Sequence, residues 1–336
     1  MLDIASVARL LEQPRKIVIT THHKPDGDAL GSSLGLYNYL IQQGHHAKVV
    51  VPSDYPDFLS WMPGNEEVII YTENVTAADT LIAEAEMIFC LDFNALSRIN
   101  AMTDSVRASQ AVKLMIDHHL EPEDFDDFRY WDINACATAQ LVYTFIADAL
   151  NNKALINKDV ATCLYTGILT DSASFRLPKT TAEVHLIAAE LINAGAVNWR
   201  IHELVYNSST ENRLRFLGHC LSNKLEVLYD YNTAIVTVTQ AELEQYDVQT
   251  GDTEGIVNFA LSIVNIKLAA FIVERTDGIK LSLRSKGEFP ANEICKKYFS
   301  GGGHRNAAGG RSDKPLDQVV QELKDILPNY KKLLIQ

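Results

Sequence analysis

Three short apolar segments in the first half of the sequence lead directly into carboxylates and histidines. The segments are KIVIT (16–20), MIFCLDF (87–93) and VKLMID (112–117), and the polar residues are His22, Asp26, Asp28, Asp92, Asp117, His118 and His119. Burying a strand that ends in charged side chains is costly unless those charges converge on a common ligand. The pattern therefore predicts a sheet whose strands deliver polar side chains to one shared edge.

Strands and helices alternate through this half of the chain. A helix is predicted over 28–43, closed by Gly44 as a C-terminal cap, and AKVVV (47–51) is the next strand. Further helical patterns lie near 138–150, 158–170 and 181–194. This alternation predicts an α/β fold with a doubly wound, mainly parallel sheet and helices on both faces. Ligands of such sheets bind at the carboxyl ends of the strands.

The pattern changes after Gly195 and predicts a smaller C-terminal domain, α/β with a mixed sheet. The predicted elements are a helical connector (198–227), a strand (232–239), a helix (252–264), a hairpin (267–285), a helix (291–299), a glycine-rich loop (301–310) and a final helix from about 315. The domains are expected at 1–195 and 229–336, with the connector region at 196–228.

Charge and composition restrict the partners. Thirty Lys+Arg against 43 Asp+Glu give a formal net charge of -13, which disfavours long duplex nucleic acid but allows a small anion in a cleft. No apolar run approaches the ~20 residues of a membrane helix, and the N-terminus lacks the pattern of a signal peptide. Five widely spaced cysteines without a CxxC pair favour a reducing cytoplasm. The oligomeric state stays open, a homodimer included.

Six side chains form the predicted metal-binding set, four carboxylates and two imidazoles. They are His22, Asp26, Asp28, Asp92, His118 and Asp171, the last of which follows a helical pattern at GILT (167–170). The set is too large for one tetrahedral zinc ion and contains no thiolate. It suits two divalent ions about 3.5–4 Å apart. Mixed oxygen and nitrogen ligands favour Mn²⁺, with Mg²⁺, Co²⁺ or Fe²⁺ as substitutes.

A second candidate site lies near the C-terminus, in GGGHRNAAGG (301–310) and at the end of the preceding hairpin. Its residues are Gly302, Gly303, His304 and Arg305, together with Arg284 and Ser285. Glycines let backbone amides approach a phosphate closely, and the arginine guanidinium matches phosphate with two parallel hydrogen bonds. We predict that these residues bind a phosphorylated substrate.

Four segments look like the four motifs of the DHH phosphoesterase superfamily. They are THHKPDGDALGSS (21–33), LDFN (91–94), DHH (117–119) and GILTDSASFR (167–176). GGGHRNAAGG resembles the glycine-rich motif of the DHH-associated C-terminal domain. The length and layout are similar to NrnA-type proteins, which degrade very short RNA (nanoRNA) to mononucleotides and convert 3'-phosphoadenosine 5'-phosphate (pAp) to AMP. SASFR departs modestly from the threonine-glycine version of its motif.

The resemblance implies a role for each matching position. The implied ligands are His22, Asp26 and Asp92 for one ion, and Asp28, Asp92, His118 and Asp171 for the other. Asp92 bridges the two ions, His119 lies beside the substrate phosphate, and Asp117 orients the histidines. These last three are the implied catalytic residues of a metal-dependent phosphodiesterase or exoribonuclease.

Three alternatives remain at this point. One is hydrolysis of a linear or cyclic dinucleotide such as pApA or cyclic di-AMP. Another is an inorganic pyrophosphatase or exopolyphosphatase, although the glycine-rich tail favours a nucleotide. The third is a nucleotide-binding module without turnover, which the intact set of ligands disfavours.

Overall fold

The computed structural model describes residues 1–335, which form two compact units. The first unit spans Met1–Ser208, and the second begins at Ser209. The predicted connector region is divided between them, since one of its helices ends at Tyr206 and the next begins at Glu211.

The first unit contains six strands and eight helices. The strands are β1 (Lys16–Thr20), β2 (His46–Val51), β3 (Ile69–Ile70), β4 (Met87–Leu91), β5 (Val112–Asp117) and β6 (Phe128–Trp131). The helices are α1 (Ile4–Leu10), α2 (Gly27–Gln42), α3 (Val75–Glu84), α4 (Thr103–Ala108), α5 (Thr138–Thr144), α6 (Lys158–Asp171), α7 (Ala182–Asn193) and α8 (Asn198–Tyr206). Helix α5 is shorter than the helical pattern at 138–150 predicts, because a π-helical turn takes over at Phe145.

The six strands form one sheet in the order β3-β2-β1-β4-β5-β6, and every neighbouring pair is parallel. Both faces are covered, since Ile17 and Ile19 belong to one hydrophobic cluster and Val18 to another on the opposite face. This follows from the two-residue period of a strand. The predicted doubly wound parallel sheet is confirmed.

The strand order reverses between β1 and β4. The chain runs outward from β1 through β2 to β3, then returns through α3 to place β4 on the other side of β1. Open α/β sheets bind ligands at such a switch point, beyond the carboxyl ends of the strands. The loop after β1, the residue after β4 and the end of β5 carry His22, Asp92 and Asp117 to this edge.

Helices α2 and α6 approach each other closely at Gly31 and Gly167. A Cβ at Gly31 would lie 2.6 Å from the carbonyl oxygen of Cys163 and 2.7 Å from the amide nitrogen of Gly167. A larger residue cannot occupy that space without moving a helix backbone. The close contact brings the first turn of α2, with Asp28, toward the last turn of α6, with Asp171.

The second unit contains six strands and five helices within the described residues. The strands are β7 (Leu225–Leu228), β8 (Thr233–Val238), β9 (Leu268–Arg275), β10 (Gly278–Ser285), β11 (Gly302–His304) and β12 (Ala307–Ser312). The helices are α9 (Glu211–His219), α10 (Gln240–Gln245), α11 (Ile256–Leu261), α12 (Ala291–Tyr298) and α13 (Leu316–Ile335). The strand order is β11-β12-β10-β9-β8-β7, with β8 and β9 parallel and the other pairs antiparallel, which confirms the predicted mixed sheet.

Two predictions in this unit were wrong. The glycine-rich segment forms the edge strand β11 and its neighbour β12, rather than a loop. Glycine is required there by close packing, since a Cβ at Gly303 would lie 2.6 Å from the carbonyl oxygen of Ala307. The helix predicted over 252–264 is confined to α11, because Gly255 has a φ of +80° and precedes the first helical residue.

Two further observations concern membrane-spanning helices and the state of the cysteine thiols. Within residues 1–335, no helix has both the length and the apolar character that crossing a bilayer requires. All five cysteines are free thiols and all are buried.

A capping box at the start of α10 holds one partly buried acidic side chain, Glu242, in place. Glu242 Oε2 accepts hydrogen bonds from the Thr239 backbone N–H and hydroxyl, both at 2.9 Å, while Oε1 lies 2.9 Å from both Lys224 Nζ and His219 Nε2. Burial alone would raise the pKa of Glu242, but these donors outweigh it and hold the pKa at about 2. The ionised carboxylate therefore stabilises the second unit.

We predict that Glu242→Gln destabilises the second unit by about 1–3 kcal/mol at pH 7. The carboxyl has its ordinary pKa of 4.5 in the unfolded chain and about 2 in the folded protein. Its contribution is therefore complete above pH 4.5 and is lost as the pH falls toward 2. Hydrogen exchange of the β8 amides measures the difference, with the exposed Glu244→Gln on the same helix as control. An equal deficit at pH 3 and pH 7 would contradict the assignment.

Candidate metal centre

The first group of candidate ligands joins the ends of β1 and β4. His22 lies in the loop after β1, Asp26 caps the N-terminus of α2, and Asp92 follows β4. His22 Nε2 lies 3.4 Å from Asp92 Oδ2 and 3.9 Å from Asp26 Oδ1. The same Asp26 oxygen accepts hydrogen bonds from the backbone N–H groups of Asp28 and Ala29, both at 3.0 Å, which fixes the carboxylate.

The second group lies on the other side of Asp92. His118 Nε2 is 3.5 Å from Asp92 Oδ1, 3.6 Å from Asp171 Oδ2 and 3.9 Å from Asp28 Oδ2. Asp92 is thus shared between the groups, because Oδ2 faces His22 and Oδ1 faces His118. The structure brings together all six residues that the sequence predicts as metal ligands.

Backbone carbonyls orient both histidine rings of these groups. His22 Nδ1 lies 3.0 Å from the carbonyl oxygen of His23, and His118 Nδ1 lies 3.2 Å from that of Ala135. A carbonyl oxygen can only accept, so each Nδ1 carries the proton. Each Nε2 then directs its lone pair toward the carboxylates, as a metal-binding histidine requires.

The spacing of these atoms suits ions better than direct hydrogen bonds. The imidazole nitrogens and carboxylate oxygens lie 3.4–3.9 Å apart, beyond the usual 2.7–3.2 Å of such hydrogen bonds. Two ligands that are each about 2.1 Å from one ion are separated by about 3.0–3.5 Å. The donor set therefore fits divalent cations with little rearrangement.

Electrostatics lead to the same conclusion. Burial and the neighbouring carboxylates Asp92, Asp171 and Asp26 raise the pKa of Asp28 well above its usual range. Burial, together with the charges of Asp26 and Asp92, raises the pKa of Asp171 to about 7 despite the opposing effect of His118. Buried carboxylates that repel one another in this way need a cation.

The shared carboxylate behaves differently from its neighbours. Burial would raise the pKa of Asp92, but the surrounding His22, His119 and His118 rings hold it well below its ordinary range. Asp92 also has a φ of +63°, which is strained for a residue with a Cβ. Strain at this position indicates that the structure fixes Asp92 for a purpose other than stability.

Asp117 holds the third histidine of the centre. Its Oδ1 lies 2.7 Å from His119 Nδ1, while Oδ2 is buried and has no hydrogen-bond partner within the described residues. Burial lowers the pKa of His119, although Asp117 acts in the opposite direction. The bond fixes the ring by Nδ1, which is the contact that an orienting carboxylate makes with a histidine.

The sequence analysis missed a segment that supports three of the ligands. The backbone N–H groups of Thr138 and Ala139, at the start of α5, donate to the two oxygens of Asp28 at 2.6 and 2.8 Å. The Thr138 hydroxyl donates to Asp92 Oδ1 at 2.9 Å, and the carbonyl of Ala135 in the same segment orients His118. Small residues just before a predicted helix, ACATA (135–139), are the only sequence signal for it.

Lys179 connects this segment to the loop that follows Asp171. Its Nζ donates to the carbonyl oxygen of Ile133 at 2.5 Å, and burial lowers its pKa despite the nearby charge of Asp171. Three consecutive residues of the loop, Ala173 to Phe175, have φ values of 49–63°. The lysine therefore anchors a strained loop beside the ligands.

The predicted substrate-binding residues of the second unit lie on neighbouring strands. Arg284 on β10 pairs with Ala307 on β12, which pairs in turn with His304 on β11, so the three share one row of the sheet. Ser285 uses its buried hydroxyl to donate to the carbonyl of Phe289 at 2.7 Å.

The remaining predicted residues of this site lie in β11 and in the turn between β11 and β12. Arg305 pairs with Glu288, with Nη1 2.7 Å from Oε2. Gly302 and Gly303 belong to β11.

The sequence matches two family profiles in the order of these units. The profile of the DHH family, N-terminal domain, matches residues 16–168, and that of the DHHA1 domain matches residues 231–332. The chain belongs to the DHH family. It is 32% identical, over 96% of its length and 93% of the relative's, to the bifunctional oligoribonuclease and PAP phosphatase NrnA of Thermus thermophilus.

Two solved structures extend the comparison. An exopolyphosphatase-related protein from Bacteroides fragilis is 43% identical, with a TM-score of 0.94 and coverage of 99% of this chain and 97% of that one. RecJ from Thermus thermophilus, solved in complex with Mn²⁺, shares the fold at 13% identity with a TM-score of 0.53, covering 98% of this chain and 54% of RecJ.

We predict that Thr138→Val weakens Mn²⁺ binding by about 10- to 100-fold, because the variant removes the only side-chain hydrogen bond from α5 to the shared carboxylate. The backbone bonds to Asp28 remain, so the fold should be retained. Isothermal titration of the metal-free protein with Mn²⁺ measures the effect. Thr144→Val, at the other end of α5, is the control, because its hydroxyl bonds only outside the centre. Equal affinities in the two variants would contradict this role.

Proposed function

We propose that this protein is a metal-dependent phosphoesterase that hydrolyses very short RNA to mononucleotides and pAp to AMP. The observation that carries the proposal is the sharing of Asp92, whose two oxygens face His22 and His118 at 3.4 and 3.5 Å. Two ligand groups that meet at one carboxylate suit a pair of divalent ions, the usual arrangement for phosphoryl transfer to water. The named activity of the Thermus thermophilus relative supports this substrate class.

The proposed metal is Mn²⁺, with Mg²⁺, Co²⁺ or Fe²⁺ as substitutes. His22, Asp26 and Asp92 would hold one ion, and Asp28, Asp92, His118 and Asp171 the other. When bound, the ions lower the pKa of a water and neutralise charge on the phosphate oxygens. An imidazole in each group favours Mn²⁺ over Mg²⁺, which prefers oxygen ligands.

The protein's own groups position the reaction. Asp117 accepts a hydrogen bond from the Nδ1–H of His119 and fixes the ring. His119 then directs Nε2 toward the phosphate or the leaving oxygen. The N-terminus of α5 and the Thr138 hydroxyl hold Asp28 and Asp92, so neither carboxylate reorganises during turnover.

The second unit supplies the proposed contacts to the rest of the substrate. Arg284 and His304, which share a row of the sheet, would bind phosphate and nucleoside groups. Gly302 and Gly303 would present backbone amides. Ser285 and Arg305 would hold the segment between β10 and α12 in place, since Ser285 bonds to Phe289 and Arg305 to Glu288.

The setting we propose is the cytoplasm, which is supported by the five buried free thiols. The formal net charge of -13 suits a short substrate, because a long nucleic acid requires an extended basic surface.

The test is a product analysis of the purified protein with Mn²⁺. The substrates are pAp, RNAs of increasing length, pApA, cyclic di-AMP, pyrophosphate and polyphosphate. We expect pAp and RNAs of a few nucleotides to be hydrolysed, with kcat/KM falling steeply as the RNA lengthens. Asp92→Asn should reduce turnover by far more than tenfold, since tenfold is only ~1.4 kcal/mol of barrier.

The substrate profile distinguishes the proposed activity from its alternatives. Efficient cleavage of long RNA would contradict the proposed substrate length. Turnover confined to pyrophosphate or polyphosphate would replace the nucleotide assignment. Asp92→Asn activity within tenfold of wild type would remove the metal centre from the reaction.

A further inference from the structure

Arg98 lies in the segment that joins β4 to α4, next to the loop that carries His22. It follows β4 by seven residues, in the 3₁₀ turn Leu96–Met102. Ile99, next to it, is fully buried, and the backbone N–H of His23 donates to the Arg98 carbonyl at 2.8 Å. The backbone of Arg98 is therefore fixed against the loop that carries His22.

The guanidinium of Arg98 makes no hydrogen bond or ion pair with any residue between 1 and 335. By contrast, Arg15 and Arg129 both pair with carboxylates. The side chain is half-buried. An arginine in this position either has a ligand that is not part of the protein or gives up a stabilising interaction.

The place of Arg98 in the fold indicates which ligand would suit it. The His23 N–H that bonds to the Arg98 carbonyl belongs to a residue whose own carbonyl lies 3.0 Å from His22 Nδ1 and orients that ring. Asp92, the shared carboxylate, lies six residues before Arg98 in the same segment after β4. The positive charge of Arg98 also acts on the His22 and His119 rings. An unpaired cation anchored beside the candidate ligands suits the anionic oxygens of a substrate phosphate.

We propose that Arg98 binds the non-bridging oxygens of the scissile phosphate. The inference rests on the proposed function and names a further substrate-binding residue for it. A guanidinium offers planar, paired donors that match two phosphate oxygens, and its charge does not depend on pH. Lys179 does not serve this purpose, because its ammonium already donates to the carbonyl of Ile133.

The experiment compares Arg98→Met and Arg98→Lys with wild type and with Arg107→Met. Arg107 is a matched control, since it is 63% exposed on α4 and its nearest carboxylate, Asp104, is 3.8 Å away. With Mn²⁺, kcat/KM is measured for ApA, which has one phosphate, and for pAp, which has two.

We expect Arg98→Met to lower kcat/KM about 10- to 100-fold, equally for ApA and pAp. Arg98→Lys should lose less, and Arg107→Met nothing. Added guanidinium ion should restore part of the Arg98→Met activity, which a purely structural role would not allow. The Mn²⁺ stoichiometry and thermal midpoint should match wild type. Calorimetric binding of AMP to the Mn²⁺-loaded protein should weaken about tenfold in Arg98→Met.

Several results would overturn the inference. Activity of Arg98→Met within threefold of wild type would do so, and so would a loss that accompanies loss of metal. A loss confined to pAp would assign Arg98 to the other phosphate. Should wild type hydrolyse neither substrate, the proposed function fails, and the AMP measurement then decides whether Arg98 binds phosphate.

Discussion

Repulsion among buried carboxylates is the constraint on which the rest of the first unit depends. Asp28 and Asp92 are each 2% exposed, and Asp171 lies beside the same histidine as both. Such a cluster destabilises the folded protein unless cations neutralise it. The fold keeps the cluster together by other means: the amides of α5, the strained backbone at Asp92 and the close crossing of α2 and α6 at Gly31.

These supports keep the carboxylates close together at this edge of the sheet, although their repulsion destabilises the fold. The first turn of α2 fixes Asp26, and the start of α5 fixes both Asp28 and Asp92, so these ligand atoms are in place before a cation arrives. Arg98 and Lys179 show two uses of a positive charge near one acidic centre. Lys179 is bonded to the backbone and anchors a loop, whereas the guanidinium of Arg98 has no partner among residues 1–335 and suits a substrate.

Much of the fold and of the ligand set could be predicted from the sequence because the signal is local. Apolar runs that end in His22, Asp92 and Asp117 show both the strand and the residue it delivers. Thr138 and Arg98 could not be found this way. Thr138 contacts a carboxylate 46 residues away in the sequence, and only the structure shows that the Arg98 guanidinium has no partner among residues 1–335. The glycine-rich strands cannot be told from a loop in the sequence, since glycine serves both turns and close strand packing.

We propose that the cluster of carboxylates and histidines around Asp92 holds two divalent ions, with Asp92 shared between them. The most direct test is a titration of the metal-free protein with Mn²⁺, with free Mn²⁺ followed by electron paramagnetic resonance. Two ions bound per chain in the wild type, and a loss of tight binding of both in Asp92→Asn, is the predicted result. One ion or none per wild-type chain, or an Asp92→Asn variant that still binds two ions tightly, would contradict the account.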